Sequence, residues 1–300
     1  MASSLGDGMI LFTSRPVGDA MATTIWGASS SWTLTALPLF VWMGEILFRT
    51  KLSENLFEGL APWLQKLPGG LIHVNVVGCA LFAAISGSSA ATVATVGKMS
   101  IPELRKRKYP EKILLGSLAG SGTLGLLIPP SIILIIYGVT VQESIAKLFI
   151  AGIIPGIMIA LIFMGYVIVW SLLNKNKMPT NYENYSFLNK LGKSKQLIPV
   201  ILLILGVIGS IYTGIATATE AASLGVVGAL ILSYFQKSLT LKTFKDSLLG
   251  ATKTSCMIAF ILAGATFLSL AMGFTGLPRN LALWIQNMEL SPYVLIFVLM

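Results

Sequence analysis

The residues best suited to chemistry in this sequence carry hydroxyls and lie inside an apolar run. Residues 84–95 read Ala-Ile-Ser-Gly-Ser-Ser-Ala-Ala-Thr-Val-Ala-Thr, and such small side chains favour an unwound turn and close helix approach. Ser86, Ser88 and Ser89, followed by Thr92, offer hydroxyl oxygens, and a broken helix adds free carbonyls, which together suit a hard cation. Simple close packing of small residues is the alternative for this run alone.

A second interruption follows in residues 120–131, which read Gly-Ser-Gly-Thr-Leu-Gly-Leu-Leu-Ile-Pro-Pro-Ser. Two adjacent prolines remove two backbone donors and clash with the preceding turn, so a helix cannot continue unbroken. A simple proline kink is the alternative for this segment in isolation. Because both interruptions lie in neighbouring apolar segments, together they predict an ion or substrate site near mid-membrane. The candidate oxygen donors of this segment are Thr123, Gly125, Ser131 and the carbonyl of Ile128.

The composition predicts that membrane helices surround these two interruptions. The chain has 300 residues, of which 55% are hydrophobic and 11% charged, whereas an average soluble domain is about 25% charged. Apolar stretches of about 20 residues recur, and this length crosses a hydrocarbon core of about 30 Å. The sequence therefore predicts an all-α polytopic membrane protein.

The basic residues indicate the topology of the chain rather than a nucleic-acid-binding surface. The net charge is +9, and most Lys and Arg residues fall in segments 98–112, 174–195 and 237–246. This is the positive-inside pattern, which places all three segments on the cytoplasmic side. Two apolar spans separate each pair of neighbouring segments, which is the even number of crossings that this placement requires.

Segment 71–97 does not fit a simple crossing. Its flanking residues Lys66 and Lys98 both belong on the cytoplasmic side by the same rule, so a single span cannot connect them. A re-entrant hairpin with its tip at residues 86–89 resolves the conflict. Non-helical backbone at that depth is tolerated where it is buried in protein or lines a wet cavity.

A weak internal repeat indicates an inverted-repeat architecture. Residues 52–56 (LSENL) parallel residues 277–281 (LPRNL), and each segment follows a long span. Span 31–48 is predicted to run inward and span 248–275 outward, and matching elements of opposite orientation are typical of secondary transporters. The predicted divisions are an extracytoplasmic segment 1–30, a first repeat 31–173 with the hairpin 71–97 and a broken helix 113–142, a cytoplasmic linker 174–195, and an incomplete second repeat 196–300.

Other chemistries lack their motifs in this sequence. It contains no Walker A motif, no HExxH, no Ser/His/Asp set and no paired intramembrane carboxylates, so we predict neither an enzyme nor a resident cofactor. The single His73 precludes a multi-His metal site, and Cys79 and Cys256 lie in apolar runs as structural thiols. Glu220 is interpreted as an acidic residue that the dipole of its helix favours at the N-terminus.

An ordered set of motifs runs from about residue 31 to residue 300, at 36–44 (ALPLFVWMG), 67–70 (LPGG), 73–77 (HVNVV), 82–91 (FAAISGSSAA), 125–131 (GLLIPPS), 137–139 (YGV), 148–156 (LFIAGIIPG) and 219–222 (TEAA). Together these motifs resemble the large membrane subunit of TRAP (tripartite ATP-independent periplasmic) transporters, the dicarboxylate-type M subunit of the DctM family. The ordered set is specific, whereas any single motif is weak.

The resemblance implies an elevator-type transporter with an inverted repeat, a re-entrant hairpin and discontinuous helices in the bacterial inner membrane. A Na⁺ gradient would drive uptake of small organic anions such as C4-dicarboxylates, sialic acid or other carboxylates. A periplasmic substrate-binding protein would deliver the anion, and a small membrane subunit would complete the complex in the lipid bilayer.

The resemblance also implies that the two interruptions form one Na⁺ site with the substrate nearby. The candidate ion ligands are Ser86, Gly87, Ser88, Ser89, Thr123, Gly125, Ile128 and Pro129, and the candidate substrate contacts are Ser89, Thr92 and Ser131. We expect a truncated member of the family, because its second hairpin and second Pro-Pro break would lie beyond Met300. A stand-alone Na⁺/carboxylate symporter of related inverted-repeat fold is the alternative.

Overall fold

The computed structural model describes residues 17–50, 52–179, 186–288 and 290–299. Within these ranges the regular elements are α-helices and short 3-10 helices, without a strand, which confirms the all-α prediction. The helices form two compact units. The larger unit comprises the described residues from Trp32 to Ser255, and the smaller combines the described residues up to Ser31 with those from Cys256 onward.

The α-helices are numbered here in chain order. Their bounds are α1 Val17–Ser29, α2 Ala36–Phe48, α3 Leu52–Leu64, α4 Ile72–Ser86, α5 Ser89–Lys106, α6 Glu111–Gly122, α7 Ile132–Val141, α8 Ile145–Leu173, α9 Phe187–Ser194, α10 Ile198–Tyr212, α11 Ala218–Phe235, α12 Leu241–Thr275, α13 Leu277–Gln286 and α14 Pro292–Leu299. A 3-10 turn, Thr123–Leu126, follows α6 directly.

Several helices have the length and surface of membrane spans. In the described part of the chain, four helical stretches are long and apolar enough to cross a bilayer: Ile145–Leu173, Phe187–Tyr212, Ala218–Phe235 and Leu241–Thr275. On α8, large apolar side chains such as Ile154, Leu161 and Leu173 are exposed, as expected for a helix that faces lipid. The predicted multi-pass membrane protein is confirmed at this level.

Helix α4 lies at the centre of the larger unit. It contacts α2, α5, α6 and α8, and side chains such as Ile72 and Phe82 are completely buried. The amide of Asn75 donates to the Leu114 carbonyl at 3.2 Å and to Ser117 Oγ at 3.0 Å, which ties α4 to α6. With 15 residues, α4 is too short to cross a bilayer of about 30 Å, so it fits an element enclosed by other helices.

Helix α5 extends farther than the sequence predicts. The predicted hairpin ends at residue 97, but α5 continues through the basic segment to Lys106. Two basic residues lie in its last turn, where the helix dipole favours cations, and Arg107 pairs with Glu103 at 2.8 Å. Part of the predicted basic loop is therefore the end of a helix.

The predicted linker 174–195 contains helix α9, which rests on α3. The rings of Phe187 and Trp63 pack edge to face with centroids 6.2 Å apart. Trp63 Nε1 donates to Ser194 Oγ at 2.7 Å, and the Lys190 ammonium lies 5.4 Å from the Trp63 ring centroid. Residues Phe187–Ser194 of this segment thus form a docked amphipathic helix, which the prediction of a polar linker did not include.

Helix α12 begins at Leu241, before the span predicted from residue 248. Thr240 caps it, since the Thr243 amide donates to Thr240 Oγ1 at 3.1 Å, and threonine is favoured at this position. The helix has 35 residues and is therefore about 52 Å long. Because a hydrocarbon core is about 30 Å thick, the helix is longer than that core, and we expect its charged first turns to lie in the polar region.

The smaller unit contains α1, the later part of α12, α13 and α14. Phe267 and Ala271 are buried there, and Met21, Leu270 and Phe274 pack around them. Of the predicted segment 1–30, residues 1–16 lie outside the described residues and α1 occupies most of the remainder.

Candidate functional site

The first interruption is a tight turn between α4 and α5. Gly87 ends α4 with a left-handed φ of +58°, a conformation that glycine adopts without steric cost. Ser88 follows in extended conformation and caps α5, since its Oγ accepts from the Ala91 amide at 3.4 Å. A Cβ on Gly87 would lie 2.6 Å from the carbonyl oxygen of Pro130, so the turn requires glycine for two reasons.

Hydroxyl groups surround the Ser88 carbonyl on the inner side of this turn. The Ser86 and Thr92 side-chain oxygens are 2.9 Å apart, and Thr92 Oγ1 donates to the Ser88 carbonyl at 2.8 Å. Ser89 Oγ is buried and has no hydrogen-bond partner among the residues described. A buried polar group without a partner costs about 1–3 kcal/mol, so this hydroxyl is the unsatisfied polar group of the turn.

The second interruption separates α6 and its 3-10 turn from α7. The chain is non-helical from Leu127 to Ser131 and contains a cis Pro129–Pro130 peptide. Ser131 Oγ donates to the Leu126 carbonyl at 2.5 Å and accepts from the Leu134 amide at 3.4 Å. Ser131 therefore both closes the non-helical loop and caps α7.

The two interruptions contact each other through their backbones. The Ile132 amide donates to the Gly87 carbonyl at 3.3 Å. Gly125 lies directly on the peptide between Ser88 and Ser89, because a Cβ at Gly125 would be 2.9 Å from Ser89 N and 3.0 Å from Ser88 O. Only a glycine allows this approach, since the opposing atoms are backbone and cannot move aside.

Helices α2 and α8 close around this junction through small residues. A Cβ on Gly44 of α2 would lie 2.9 Å from Ser86 Cα, and a Cβ on Gly156 of α8 would lie 2.9 Å from Ile128 Cγ1. Glycines at such positions let membrane helices approach closely. The junction is therefore held on two sides by helices of the larger unit.

The predicted site residues are not all equally close to the junction. The hydroxyl of Thr123 donates to the Gly120 carbonyl at 2.7 Å and its side chain is exposed, so that hydroxyl is used within its own helix. The side chain of Ile128 faces α8, and Pro129 is buried in the loop. The predicted residues that lie where the two interruptions meet are Ser86, Gly87, Ser88, Ser89, Thr92, Gly125 and Ser131.

Four helix ends converge at this junction. α4 and the 3-10 turn after α6 end there, and α5 and α7 begin there. Carbonyls at the C-terminal ends carry partial negative charge and favour a cation, whereas amides at the N-terminal ends favour an anion. Helix ends of both polarities therefore meet at this junction, which is the arrangement that half-helices form at the binding sites of membrane transporters.

Two backbone groups of the junction were missed by sequence reasoning. The amide of Ile132 completes the contact between the two interrupted segments, and the carbonyl of Leu126 accepts from Ser131 within the second one; residue type does not reveal such backbone roles. The pair Gly122 and Gly125 was an available signal, because spaced glycines mark places where helices or backbones meet closely.

The model of one protein family matches nearly the whole chain. This family is described as the DctM component of tripartite ATP-independent periplasmic transporters, and the match covers residues 3–300. The chain belongs to the DctM family. The resemblance predicted from the motifs is thereby confirmed.

Curated relatives of this DctM-family chain carry transport names. It is 32% identical to the C4-dicarboxylate TRAP transporter large permease protein DctM of Pseudomonas aeruginosa, over 93% of this chain and 65% of that protein. It is 31% identical to the sialic acid TRAP transporter large permease protein SiaM of Vibrio cholerae, over 97% and 67%. It is 34% identical to the isethionate TRAP transporter permease protein DctMQ of Oleidesulfovibrio alaskensis, over 88% and 41%. The chain thus spans about two thirds or less of the length of these relatives.

Proposed function

We propose that this DctM-family chain belongs to the permease subunit of a secondary transporter that couples Na⁺ entry to uptake of a small organic anion. A periplasmic binding protein delivers the anion, and a small membrane subunit completes the complex in the bacterial inner membrane. The observation that carries this proposal is the convergence of four helix ends at the contact between Gly87 and Ile132.

The cation part of the proposal rests on oxygen atoms at the junction. Na⁺ is a hard cation that prefers oxygen ligands and is bound by unwound backbone carbonyls in related membrane architectures. Ser89 Oγ is buried without a partner among the described residues, and the Ser88–Ser89 peptide lies against Gly125. We assign Na⁺ to this position, with Ser89 as its side-chain ligand and neighbouring carbonyls as backbone ligands.

The anion part of the proposal rests on the two helices that begin at the junction. Ser88 and Ser131 cap the N-termini of α5 and α7, and such termini carry partial positive charge. The carboxylate of the substrate belongs near Ser89, Thr92 and Ser131. A carboxylate substrate agrees with the names of the C4-dicarboxylate and sialic acid relatives.

For the architecture, we propose two inverted repeats, 31–173 and 196–300, joined by the linker 174–195. The similar segments 52–56 and 277–281 support this division, because both begin helices, α3 and α13. Opposite orientation of such repeats is the basis of alternating access in many transporters. An elevator movement that carries the junction across the membrane is part of this proposal.

The test of function is uptake into proteoliposomes that contain the permease with its small subunit. Labelled succinate and sialic acid are offered with and without an inward Na⁺ gradient, and with and without the cognate binding protein. We expect accumulation only when both the gradient and the binding protein are present. Na⁺-dependent accumulation without the binding protein would support a stand-alone symporter. Accumulation that is equal with and without the Na⁺ gradient would contradict both the TRAP-type permease and the stand-alone Na⁺ symporter.

The same assay tests the assignment of the ion site. Replacement of Ser88 and Ser89 by alanine (Ser88→Ala with Ser89→Ala) removes two hydroxyls from the junction. Because a hydrogen-bonding or ligand oxygen contributes about 1–2 kcal/mol, we expect the Na⁺ concentration for half-maximal uptake to rise about tenfold. Wild-type uptake by the double variant at low Na⁺ would show that the site lies elsewhere.

A further inference from the structure

A polar cleft of about 580 Å³ lies where α2 ends against the first turns of α12. It is separate from the junction of the interrupted helices, and the proposed transport mechanism assigns it no role. Its charged lining residues are Arg49, Lys242, Asp246 and Lys253. Three cations and one carboxylate therefore face the same space, which favours an anionic occupant.

Arg49 is held in a defined position at one wall of the cleft. Its Nη2 atom contacts Glu45 Oε2 at 3.0 Å and donates to the backbone carbonyl of Asp246 at 3.1 Å. Its guanidinium carbon lies 5.6 Å from the centroid of the Phe48 ring. Gly250 permits this arrangement, because a Cβ there would be 2.6 Å from Glu45 Oε2. The guanidinium is thus pre-positioned rather than free to rotate.

The opposite wall, α12, is anchored to α2 by Trp42. Its indole Nε1 donates to Ser247 Oγ at 3.3 Å, and its ring packs edge to face on Phe244 with centroids 5.8 Å apart. Ser247 is completely buried. Two anchored helices therefore fix the width of the cleft, which distinguishes it from a group of flexible surface lysines.

The lysines of the cleft are not neutralised by the protein. Lys242 and Lys253 are exposed, lie on one face of α12, and form no ion pair within the described part of the chain. Arg49 is balanced by Glu45, so Asp246 opposes two lysines and a surplus of positive charge is left. The amide end of α12 adds a partial positive charge at the Lys242 end of the cleft.

The depth of the cleft in the membrane points to a lipid. The charged first turns of α12 are expected outside the hydrocarbon core, and segment 237–246 is predicted to be cytoplasmic. Basic pockets between membrane helices at this level bind the head groups of anionic lipids. Leu249 lines the cleft and is 48% exposed, which gives an acyl chain an apolar surface directly beside the charged groups.

We propose that this cleft holds an anionic phospholipid of the cytoplasmic leaflet, with its head group among the basic lining residues Arg49, Lys242 and Lys253. Asp246 accepts a hydrogen bond from a hydroxyl of the head group, so phosphatidylglycerol, which carries both a phosphodiester and free hydroxyls, fits the lining best. A free phosphate ion could bind the same basic groups, but it has no acyl chain to pack against the exposed Leu249.

The test uses the full chain in nanodiscs of phosphatidylcholine with a minor fraction of phosphatidylglycerol. Native mass spectrometry after release from the disc counts the phosphatidylglycerol molecules that stay bound. The variant Lys242→Gln with Lys253→Gln removes two cleft charges, and Lys237→Gln with Lys245→Gln removes two charges from the same cytoplasmic region outside the cleft. Each lysine near an anionic lipid is expected to contribute severalfold in affinity, so retention falls about tenfold in the first variant and stays at the wild-type level in the second.

Two results would overturn the proposal. Equal losses in both double variants would mean that general surface charge, not the cleft, retains the lipid. Displacement of phosphatidylglycerol by millimolar inorganic phosphate, with phosphate bound equally well in pure phosphatidylcholine discs, would assign the cleft to the free ion. All four lysines are exposed, so we expect both variants to fold, and circular dichroism in the same discs verifies it.

Discussion

The Ile132 amide donates to the Gly87 carbonyl at 3.3 Å, and this bond joins the start of α7 to the turn between α4 and α5. Each partner lies at a helix end, so the bond aligns the two interrupted segments. The left-handed φ of Gly87 and the short distance to the Pro130 carbonyl both depend on the absence of a side chain. The junction is therefore a single unit, in which a shift of one interruption displaces the other.

Replacement of Gly87 by alanine tests the tightness of this contact. The new Cβ would lie 2.6 Å from Pro130 O at a positive φ, so we expect a loss of about 1–3 kcal/mol in stability together with weaker Na⁺ binding. Thermal unfolding in detergent, with and without Na⁺, measures both effects. The control is Gly116→Ala on α6, where a Cβ meets nothing within 4 Å and helix propensity predicts an unchanged or slightly higher Tm.

Replacement of Ser131 by alanine separates a helix cap from a substrate contact. Ser131 and Ser144 cap α7 and α8 in the same way, and removal of a serine cap costs about 0.5–2 kcal/mol. We expect Ser131→Ala and Ser144→Ala both to lower Tm, but only Ser131→Ala to raise the KM for the organic anion. Equal KM values for the two variants would argue that the N-terminus of α7 does not face the substrate.

The contact between α3 and α9 depends on Trp63. Trp63→Phe keeps an aromatic ring against Phe187 but removes the donor to Ser194 Oγ, now at 2.7 Å. We expect faster amide hydrogen exchange in α9 and little change elsewhere, because the lost bond connects Trp63 to this short helix and to no other element. Trp26→Phe, at a side chain that is 74% exposed, is the matched control. Unchanged exchange in α9 would mean that the ring contact alone holds it.

Glu143 predicts a specific pH dependence in the loop between α7 and α8. The Ser144 amide and then the Lys147 charge lower the pKa of this carboxyl below 4.5. A lowered folded-state pKa stabilises the protein above the unfolded pKa, and this contribution is lost as pH falls through the folded value. We expect Glu143→Gln to lower Tm slightly at neutral pH, and to have no such effect at a pH acidic enough to protonate the carboxyl in the folded protein as well. Glu58→Gln is the control, because it removes one carboxylate charge at another exposed position. An equal change in Tm for Glu143→Gln at both pH values would mean that the lowered pKa of Glu143 does not stabilise the fold.

The local signals in the sequence were enough to place the interruptions. Gly87 and the pair Pro129 and Pro130 punctuate apolar segments, and such residues act on their own neighbourhood. Hydropathy likewise indicated the all-helical membrane character. The contact between Gly87 and Ile132 was not predictable in the same way, because it joins distant parts of the chain through backbone atoms. The cation and anion assignments at the junction stay predictions.

Two helix ends that lie among charged residues differ from the predicted positions: α5 ends later and α12 begins earlier. α5 runs on through basic residues to Lys106, and α12 starts at Leu241 among lysines. Basic residues are compatible with helix at such positions, because their long side chains keep the charged groups in water while their stems cover apolar surface. The positive-inside rule identifies the side of the membrane, but it does not distinguish a loop from the polar end of a helix.

The central claim is that Na⁺ binds where the two interruptions meet, and Ser89 tests it most directly. Ser89 and Ser100 both lie on α5, and each has a buried hydroxyl without a partner among the residues described. Na⁺ affinity of the purified protein is measured by calorimetric titration for the wild type, Ser89→Ala and Ser100→Ala. We predict that Ser89→Ala weakens Na⁺ binding about tenfold and that Ser100→Ala leaves it unchanged. Equal Na⁺ affinities in all three proteins would contradict the account.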